Sequence, residues 1–580
     1  MKNEYVLGLN FLHSDTSACI FKNGLLIGAA EEERFSRIKH TSNFPINSIN
    51  YCLNEAKIKI SDVNIITLNS NPFSSLERKI VYTIKNPKSI KIGFRSLVNL
   101  KKKISIKEEI NKIDEKNLFN GKFKYIDHHE SHIASSIYFS NFEKSVNLSV
   151  DGFGDFVSCA WGLYINNKSV IDNRVYFPHS LGIFYQSLTQ FLGFKNYGDE
   201  YKVMGLASYG LPKYEKELSK LIYSNKTGFE LDLNYFVHHN SEINIKKLNG
   251  QILYKNLYSQ KLIDLLGPER KQNDPITQRH MDIASSTQKV YENIFFNLLN
   301  KIQGLYKIDA LTLSGGCAMN SVANGKILKE TSFKKIYISP NPGDAGGSVG
   351  SAVSYIKNKN IYPIEKISYA YLGKSYSNDE IGLEIKKKKI EQFHKVLNLK
   401  NDEIIDYTVN YLIKSKIIGW FQGRMEWGPR ALGNRSIIAD ARNPKIKDII
   451  NSKIKRRESF RPFAPAILND YVKDWFDIDY NIEIPFMSEV YTILKNKQKD
   501  LPGITHVDGT GRLQTIKKTD NKKFYNLIEK FYSKTSIPII LNTSFNENEP
   551  IVQTPREAID CFLRTDMDIL VMENWMIIRE

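Results

Sequence analysis

The chain has 580 residues, 42% of them hydrophobic and 25% charged, with a formal net charge of +18. That length exceeds one hydrophobic core, so at least two domains are expected, and no apolar run approaches the ~20 residues of a membrane span. Five cysteines without paired spacing exclude a disulfide framework or zinc knuckle, and with no apolar leader after Met1 they point to a cytoplasmic protein with reduced thiols.

The first predicted strand is Tyr5–Asn10, followed by the polar turn His13-Ser14-Asp15-Thr16-Ser17. A second strand over 18–21 meets Asn23-Gly24, a strong hairpin signal, and a third covers 25–30. The pattern returns with a strand over 146–150, the turn Asp151-Gly152-Phe153-Gly154-Asp155, a strand over 157–164 and the hairpin Asn166-Asn167. Strand, polar turn, strand, hairpin and strand therefore occur twice, which reads as an internal duplication. Two facing halves of this kind are the architecture of the actin, sugar kinase and chaperone superfamily. Residues 72–118 are basic and loosely amphipathic and read as a solvated helical cover, while 215–310 read as mostly helical.

Ser314-Gly315-Gly316-Cys317 is a Gly-rich turn before a predicted helix, where the backbone donors of Gly315 and Gly316 would suit phosphate. A helix over 346–356 is rich in small residues that let backbones approach closely. The only composition break is the Lys-Asn-rich linker at 357–366, which divides residues 1–360 from 361–580. The second part alternates short strands and helices, ending in a strand over 537–541, a loop through Asn542 and Ser544, a helix over 555–563 and a strand at Ile569–Met572.

Chemistry concentrates in three stretches. In Asp127-His128-His129-Glu130-Ser131-His132, His128 and His132 stand four apart on one helical face; with a distant carboxylate they would hold a divalent metal, which the ligand types leave open among iron, zinc and manganese. In Gly423-Arg424-Met425-Glu426-Trp427-Gly428-Pro429-Arg430-Ala431-Leu432-Gly433-Asn434-Arg435, guanidinium forks stand among glycines after an apolar run, and Lys453-Ile454-Lys455-Arg456-Arg457-Glu458-Ser459-Phe460-Arg461 adds further cations. Together they point to a polyanion. The net charge also raises nucleic acid, but lysines spread along the chain, with runs at 101–103 and 386–389, are better explained by solvated faces and small anionic substrates.

Residues 419–442, 455–468, 506–516 (HVDGTGRLQTI) and 538–559 resemble the C-terminal domain of the O-carbamoyltransferases, a family that includes nodulation-factor, cephamycin and tobramycin carbamoyltransferases. The likeness extends from about Tyr5 to the end of the chain. It implies an α/β fold: a duplicated ribonuclease H-like domain of the actin/sugar kinase/Hsp70 superfamily over 1–360, similar to the tRNA threonylcarbamoyladenosine transferase fold, and an α+β domain of YrdC type over 361–580. It implies a two-step reaction in which ATP and carbamoyl phosphate give carbamoyladenylate in the second domain. The adenylate then moves internally to the first domain, where a hydroxyl of a small-molecule or sugar acceptor takes the carbamoyl group.

By that resemblance His128, His132 and Asp344 hold iron, Asp151 contacts nucleotide and acceptor and takes the hydroxyl proton, and His13 matches an N-terminal pattern in which Ser14 here intervenes before Asp15. Arg430, Lys455, Arg461 and Arg512 supply cations for the adenylation step, and Asn542 and Ser544 supply neutral hydrogen bonds. No cysteine or serine stands beside a partnered histidine, so no covalent enzyme intermediate is expected. A tRNA-modifying carbamoylation factor and a non-catalytic nucleotide-dependent switch are the alternatives.

Overall fold

The structure, a computed structural model, describes residues 3–11, 13–86, 106–113, 119–240, 246–248, 250–253, 255–359, 364–479 and 482–580. The lysine run at 101–103, much of the basic stretch 72–118 and the middle of the 357–366 linker lie outside them. The chain divides into two compact units, Met1–Asn320 with Lys326–Ser368, and Ser321–Gly325 with Tyr369–Glu580.

In the N-terminal unit β1 (Tyr5–Asn10), β2 (Ser17–Lys22), β3 (Leu25–Glu31), β4 (Ile65–Leu68) and β5 (Lys122–Tyr125) form a sheet of order β3-β2-β1-β4-β5. The first three strands run antiparallel, and β4 and β5 add in parallel. A second sheet contains β6 (Ser145–Gly154), β7 (Val157–Ile165) and β8 (Lys168–Tyr176). Next along the chain come two hairpins, β9 (Ile222–Asn225) with β10 (Gly228–Leu231) and β11 (Lys246–Leu248) with β12 (Gln251–Leu253). Then β13 (Ala310–Ser314) and β14 (Lys335–Ile338) complete the second sheet in the order β14-β13-β6-β7-β8. Numbered within each half, both sheets read 3-2-1-4-5 with the same strand directions. The duplicated ribonuclease H-like expectation is met.

The hairpins explain the repeated pattern. Asn23 and Gly24 have φ of 50° and 84°, and Asn166 and Asn167 have 53° and 62°, the left-handed pair that a two-residue turn needs to match strand twist. The reading of 215–310 as mostly helical is corrected by the two hairpins β9/β10 and β11/β12. Gly228 and Gly250 (φ 132° and 84°) break any helix there.

Helices α1 (Ile46–Ala56), α2 (Leu76–Lys85), α3 (His128–Phe139), α4 (Gln278–Tyr306) and α5 (Gly347–Lys359) accompany these sheets. Leu7, Leu9, Ala18, Ile20, Ile49, Leu53 and Ile66 form one core cluster between the first sheet and α1. The small residues of α5 do what their size suggests. A Cβ on Gly350 would lie 1.7 Å from Ser131 O of α3, and one on Gly8 of β1 would lie 2.1 Å from Ser348 O. Backbone therefore packs directly on backbone around α5.

The C-terminal unit is built on a nine-stranded mixed sheet. Its strands are β15 (His394–Asn398), β16 (Ile418–Phe421), β17 (Arg435–Ala439), β18 (Ala464–Leu468), β19 (Glu489–Thr492), β20 (Thr510–Ile516), β21 (Ile539–Ser544), β22 (Ile569–Met572) and β23 (Trp575–Arg579). Side chains alternate between two cores. Ile418, Trp420 and Ile438 pack with α6 (Asn401–Ile413) and α7 (Lys522–Thr535). Phe421, Ile437 and Ala439 pack with α8 (Pro555–Arg564). Asn542 and Ser544, expected in a loop, close strand β21.

Candidate metal centre and anion site

His128 is the first residue of α3, whose N-cap Asp127 accepts from Glu130 N at 3.1 Å. The 3.6-residue turn puts His132 on the same side. Their Nε2 atoms lie 3.0 Å apart. Asp151 arrives near the end of β6, where the pairing with β7 shifts register, and Asp344 opens the turn that leads into α5. Asp151 Oδ2 lies 3.1 Å from His128 Nε2 and 3.7 Å from His132 Nε2. Asp344 Oδ1 lies 3.6 Å and 3.5 Å from the same two atoms. Expected as a base, Asp151 stands within the donor set.

The cluster is sheltered and strongly polarised. His128 and His132 are buried. Burial opposes charge on His128, but the Asp151 hydrogen bond and the Asp344 and Asp151 charges outweigh it and push it up to about 9. Burial and His128 oppose charge on His132, yet Asp151 and Asp344 carry it upward as well. Burial would raise Asp151, but hydrogen bonds and charge from the two imidazoles hold it well below the carboxylate range. The third histidine behaves differently. His129 Nδ1 meets Ser149 Oγ at 2.8 Å, its Nε2 meets Val157 O at 3.0 Å, and burial with the His128 charge pushes it down to about 3. It is a neutral core group.

Two nitrogens and two carboxylate oxygens converge within 4.8 Å of one another. Donors around one ion at about 2.1 Å would stand about 3.0 Å apart in octahedral and about 3.4 Å in tetrahedral geometry. Asp344 Oδ1, which faces the two Nε2 atoms, is buried and has no hydrogen-bond partner. The residues fit a divalent ion with mixed imidazole and carboxylate ligands, of the kind that suits iron, zinc or manganese.

Neighbouring groups hold this set. Asp155, in the left-handed region with Phe156 (φ 50° and 74°), accepts from His128 N at 3.0 Å, Asn71 N at 2.7 Å and Ser70 Oγ at 2.8 Å. A Cβ on Gly154 would fall 2.0 Å from His128 Cδ2. The His13 ring centroid stands 5.2 Å from that of His128. Gly315 has φ 87° and would place a Cβ 2.2 Å from Val150 O. Its N–H donates to Pro342 O at 2.8 Å, and Gly316 N–H donates to Asp151 Oδ1 at 2.9 Å. The expected phosphate donors of the Gly-Gly turn are thus engaged with the protein, and the turn leads into a 3-10 segment, Gly316–Met319, in place of the expected helix. They orient Asp151. A second titratable group, Asp15, Glu33 and His40, is internally paired, with His40 Nδ1 2.7 Å from Asp15 Oδ1.

In the C-terminal unit the arginines separate by role. Arg424 donates to Gly373 O and Leu372 O, both at 3.0 Å. Arg435 is buried, donates to Gln422 O at 2.6 Å and to Lys374 O at 3.1 Å, and lies 3.6 Å from the centre of the Phe421 ring. Both brace the loop. Glu426 Oε1 accepts from the N–H groups of Leu432, Asn434 and Arg435 at 2.7, 2.9 and 3.1 Å, tying the segment after Arg430.

Arg430 belongs to another set. Arg512 is held well below its ordinary value by burial and then by the charges of Arg430, Arg457 and Arg461. The charges of three arginines thus act on a fourth; Arg461 meets Glu458 at 3.4 Å, and Arg457 lies over Phe463. An anion would relieve the repulsion. Lys455 is held by backbone and side-chain oxygens. Its buried ammonium donates to Asn546 O at 2.7 Å, to Asn546 Oδ1 at 2.6 Å and to Ser544 O. Asn542 Nδ2 meets Ala431 O at 3.2 Å and Gln514 Oε1 at 2.8 Å, and Ser544 Oγ meets Asn546 Oδ1 at 2.7 Å. Lys455, Asn542 and Ser544 are thus engaged with the protein, Asn542 against Ala431, the residue after Arg430. The sequence alone does not single out Arg457, Glu426 or Asp155.

Residues 5–353 match the family described as Carbamoyltransferase N-terminus, and residues 409–579 match Carbamoyltransferase C-terminus. An uncharacterized protein of Synechocystis sp., sll1178, is 36% identical over 99% of this chain and 96% of its own. Nodulation protein NolNO of Sinorhizobium fredii is 33% identical over 99% of this chain and 80% of its own. The uncharacterized protein MJ1051 of Methanocaldococcus jannaschii is 32% identical over 99% of both. With both family regions matched across most of its length, this chain belongs to the carbamoyltransferase family.

Proposed function

We propose that the chain is an ATP-dependent O-carbamoyltransferase that uses carbamoyl phosphate and acts on a hydroxyl of a small-molecule or sugar acceptor. The observation that carries this reading is that the charges of Arg430, Arg457 and Arg461 all act on Arg512 in the C-terminal unit. Two polyanionic substrates repel each other, and only fixed cations bring them together. These guanidiniums would hold the phosphates while water cleaves carbamoyl phosphate to carbamate and phosphate and a carbamate oxygen then attacks the α-phosphorus of ATP, which forms carbamoyladenylate and releases pyrophosphate.

In the N-terminal unit His128, His132, Asp151 and Asp344 would hold a divalent ion, iron being the first choice by family resemblance. Such an ion supplies Lewis acidity toward anionic oxygens of the adenylate. Asp151 orients the imidazoles and is itself oriented by Gly316 N–H. His13, beside His128, is the group we assign to receive the acceptor proton. The acceptor oxygen bonds to the carbamoyl carbon, the bond to the phosphate oxygen breaks, and AMP departs.

Exchange of labelled pyrophosphate into ATP, with and without carbamoyl phosphate, tests the first step. Mass spectrometry of a hydroxylated metabolite pool after reaction tests the second, by a gain of one carbamoyl group. No carbamoyl phosphate-dependent exchange would overturn the reading.

A further inference from the structure

Two ammonium groups share one aromatic ring at the end of α5. Lys357 Nζ stands 4.6 Å from the centre of the Tyr164 ring, and Lys366 Nζ stands 5.3 Å from it. Tyr164, on β7, is buried with Ile133 and Ile137 of α3, and its hydroxyl donates to Asn167 Oδ1 at 3.0 Å. The ring is therefore fixed, and the two lysine side chains converge on it.

What holds each lysine differs. Lys366 Nζ donates to Phe142 O at 3.2 Å, and the exposed Glu143 favours its charge. Among the described residues no hydrogen bond and no carboxylate supports Lys357. A cation that leaves water normally gains an anion in exchange. Lys357 gains only a ring that it shares with a second cation, and the attraction of that ring supplies no counter-charge. Burial first, and the Lys366 charge second, push Lys357 down to about 8 from the ordinary 10.5. About a quarter of such an amine is neutral near pH 7.5, against about one part in a thousand of an ordinary lysine.

The geometry points to Lys357 as a nucleophilic lysine, the site of fastest Nε-carbamoylation among the described lysines. Desolvation and a neighbouring cation are two ways in which a lysine amine is activated, and the cluster of Lys357, Lys366 and Tyr164 combines them. The half-buried side chain stays open to a small uncharged electrophile, isocyanic acid. The Nζ lone pair bonds to its carbon, the C=N electron pair takes up the proton released from Nζ, and a substituted urea forms with nothing expelled. The product is neutral, so it also ends the repulsion with Lys366. Carbamoyl phosphate, the substrate on the proposed reading, gives the same electrophile by losing phosphate. The inference stands on the side-chain cluster and does not require that reading.

The test incubates the full-length protein with potassium cyanate near pH 7.5 and follows each lysine by peptide mass spectrometry. Lys357 is expected to react at least about tenfold faster than the exposed Lys144 and Lys445. In Lys366→Met its rate should fall at least about threefold, because the charge that favours the neutral amine is gone. A smaller lead over the exposed lysines would overturn the inference, as would an unchanged Lys357 rate in Lys366→Met. Fast labelling of Lys357 in a protein that shows no carbamoyl phosphate-dependent pyrophosphate exchange would uphold this site while removing the proposed reaction.

Discussion

Asp151 Oδ2 lies 3.1 Å from His128 Nε2, while Asp151 Oδ1 accepts from Gly316 N–H at 2.9 Å. On the proposed reading, a carboxylate engaged at both oxygens serves as a fixed metal ligand and leaves the acceptor proton to His13. Asp151→Asn should weaken metal affinity at least about tenfold, measured by competitive titration against a chelating dye. Unchanged affinity with a lower turnover would return Asp151 to the role of base. His13→Gln should leave affinity intact and flatten the pH dependence of turnover.

Gly154 contacts the His128 ring face so closely that no side chain fits, since a Cβ there would fall 2.0 Å from Cδ2. Gly154→Ala should displace the imidazole and lower metal occupancy, measured by elemental analysis, although alanine removes no ligand. Full occupancy would mean that α3 shifts freely, against its backbone contact with α5 at Gly350.

Lys455 and Arg430, both expected as phosphate cations, should separate in experiment. Lys455→Met removes the buried donor to Ser544 and Asn546 and should lower stability by about 3 kcal/mol, read from urea unfolding. Arg430→Lys keeps the charge but loses the fork. It should leave the melting temperature unchanged and lower turnover by about tenfold to a thousandfold, about 1.4–4 kcal/mol. Wild-type kinetics in that variant would remove Arg430 from the anion site.

Glu489 on β19 is buried, and burial raises its carboxyl from the ordinary 4.5 to about 7 despite hydrogen bonds from Tyr491 and Ser488. Since the folded value exceeds the unfolded one, the stability this group contributes is fully present below about pH 4.5 and is lost as pH rises through about 7. The span corresponds to at most about 3 kcal/mol. Glu489→Gln should remove that slope, leaving the variant more stable than wild type at pH 8. Parallel curves of unfolding midpoint against pH for the two proteins would exclude it.

Most of the N-terminal fold is legible because its turns are written in single residues. Asn-Gly and Asn-Asn pairs demand left-handed conformations that leave the flanking strands little choice of register. The His128 and His132 pairing is legible for a similar reason, since four residues bring two side chains together in any helix. The hairpins inside 215–310 are not, because short strands held by one glycine carry too little periodicity to outweigh neighbouring helical residues. The division among the arginines is also hidden. Arg424, Arg430 and Arg435 look alike in sequence, and only the placement of carbonyl oxygens at Leu372, Gly373, Gln422 and Lys374 shows which two are consumed by the loop. Lys455 is hidden in the same way, because its acceptors on Ser544 and Asn546 lie far along the chain.

His128 and His132 enter from the helix after β5, and Asp344 from the turn after β14, the equivalent station in the second copy of the fold. Asp151 stands near the end of β6, the counterpart of β1. On the proposed reading neither copy owns a complete ligand set, so an ion bound there would work as a clasp across the duplication. Each state in which the copies part loses the ion, and its population falls as free metal rises; a hundredfold excess over Kd disfavours it by about 2.7 kcal/mol. Chelation should therefore do more than stop turnover. Amide protons of β1 and β6 should exchange faster in the metal-free protein, while those of β16 and β22, on their own sheet in the other unit, keep their protection.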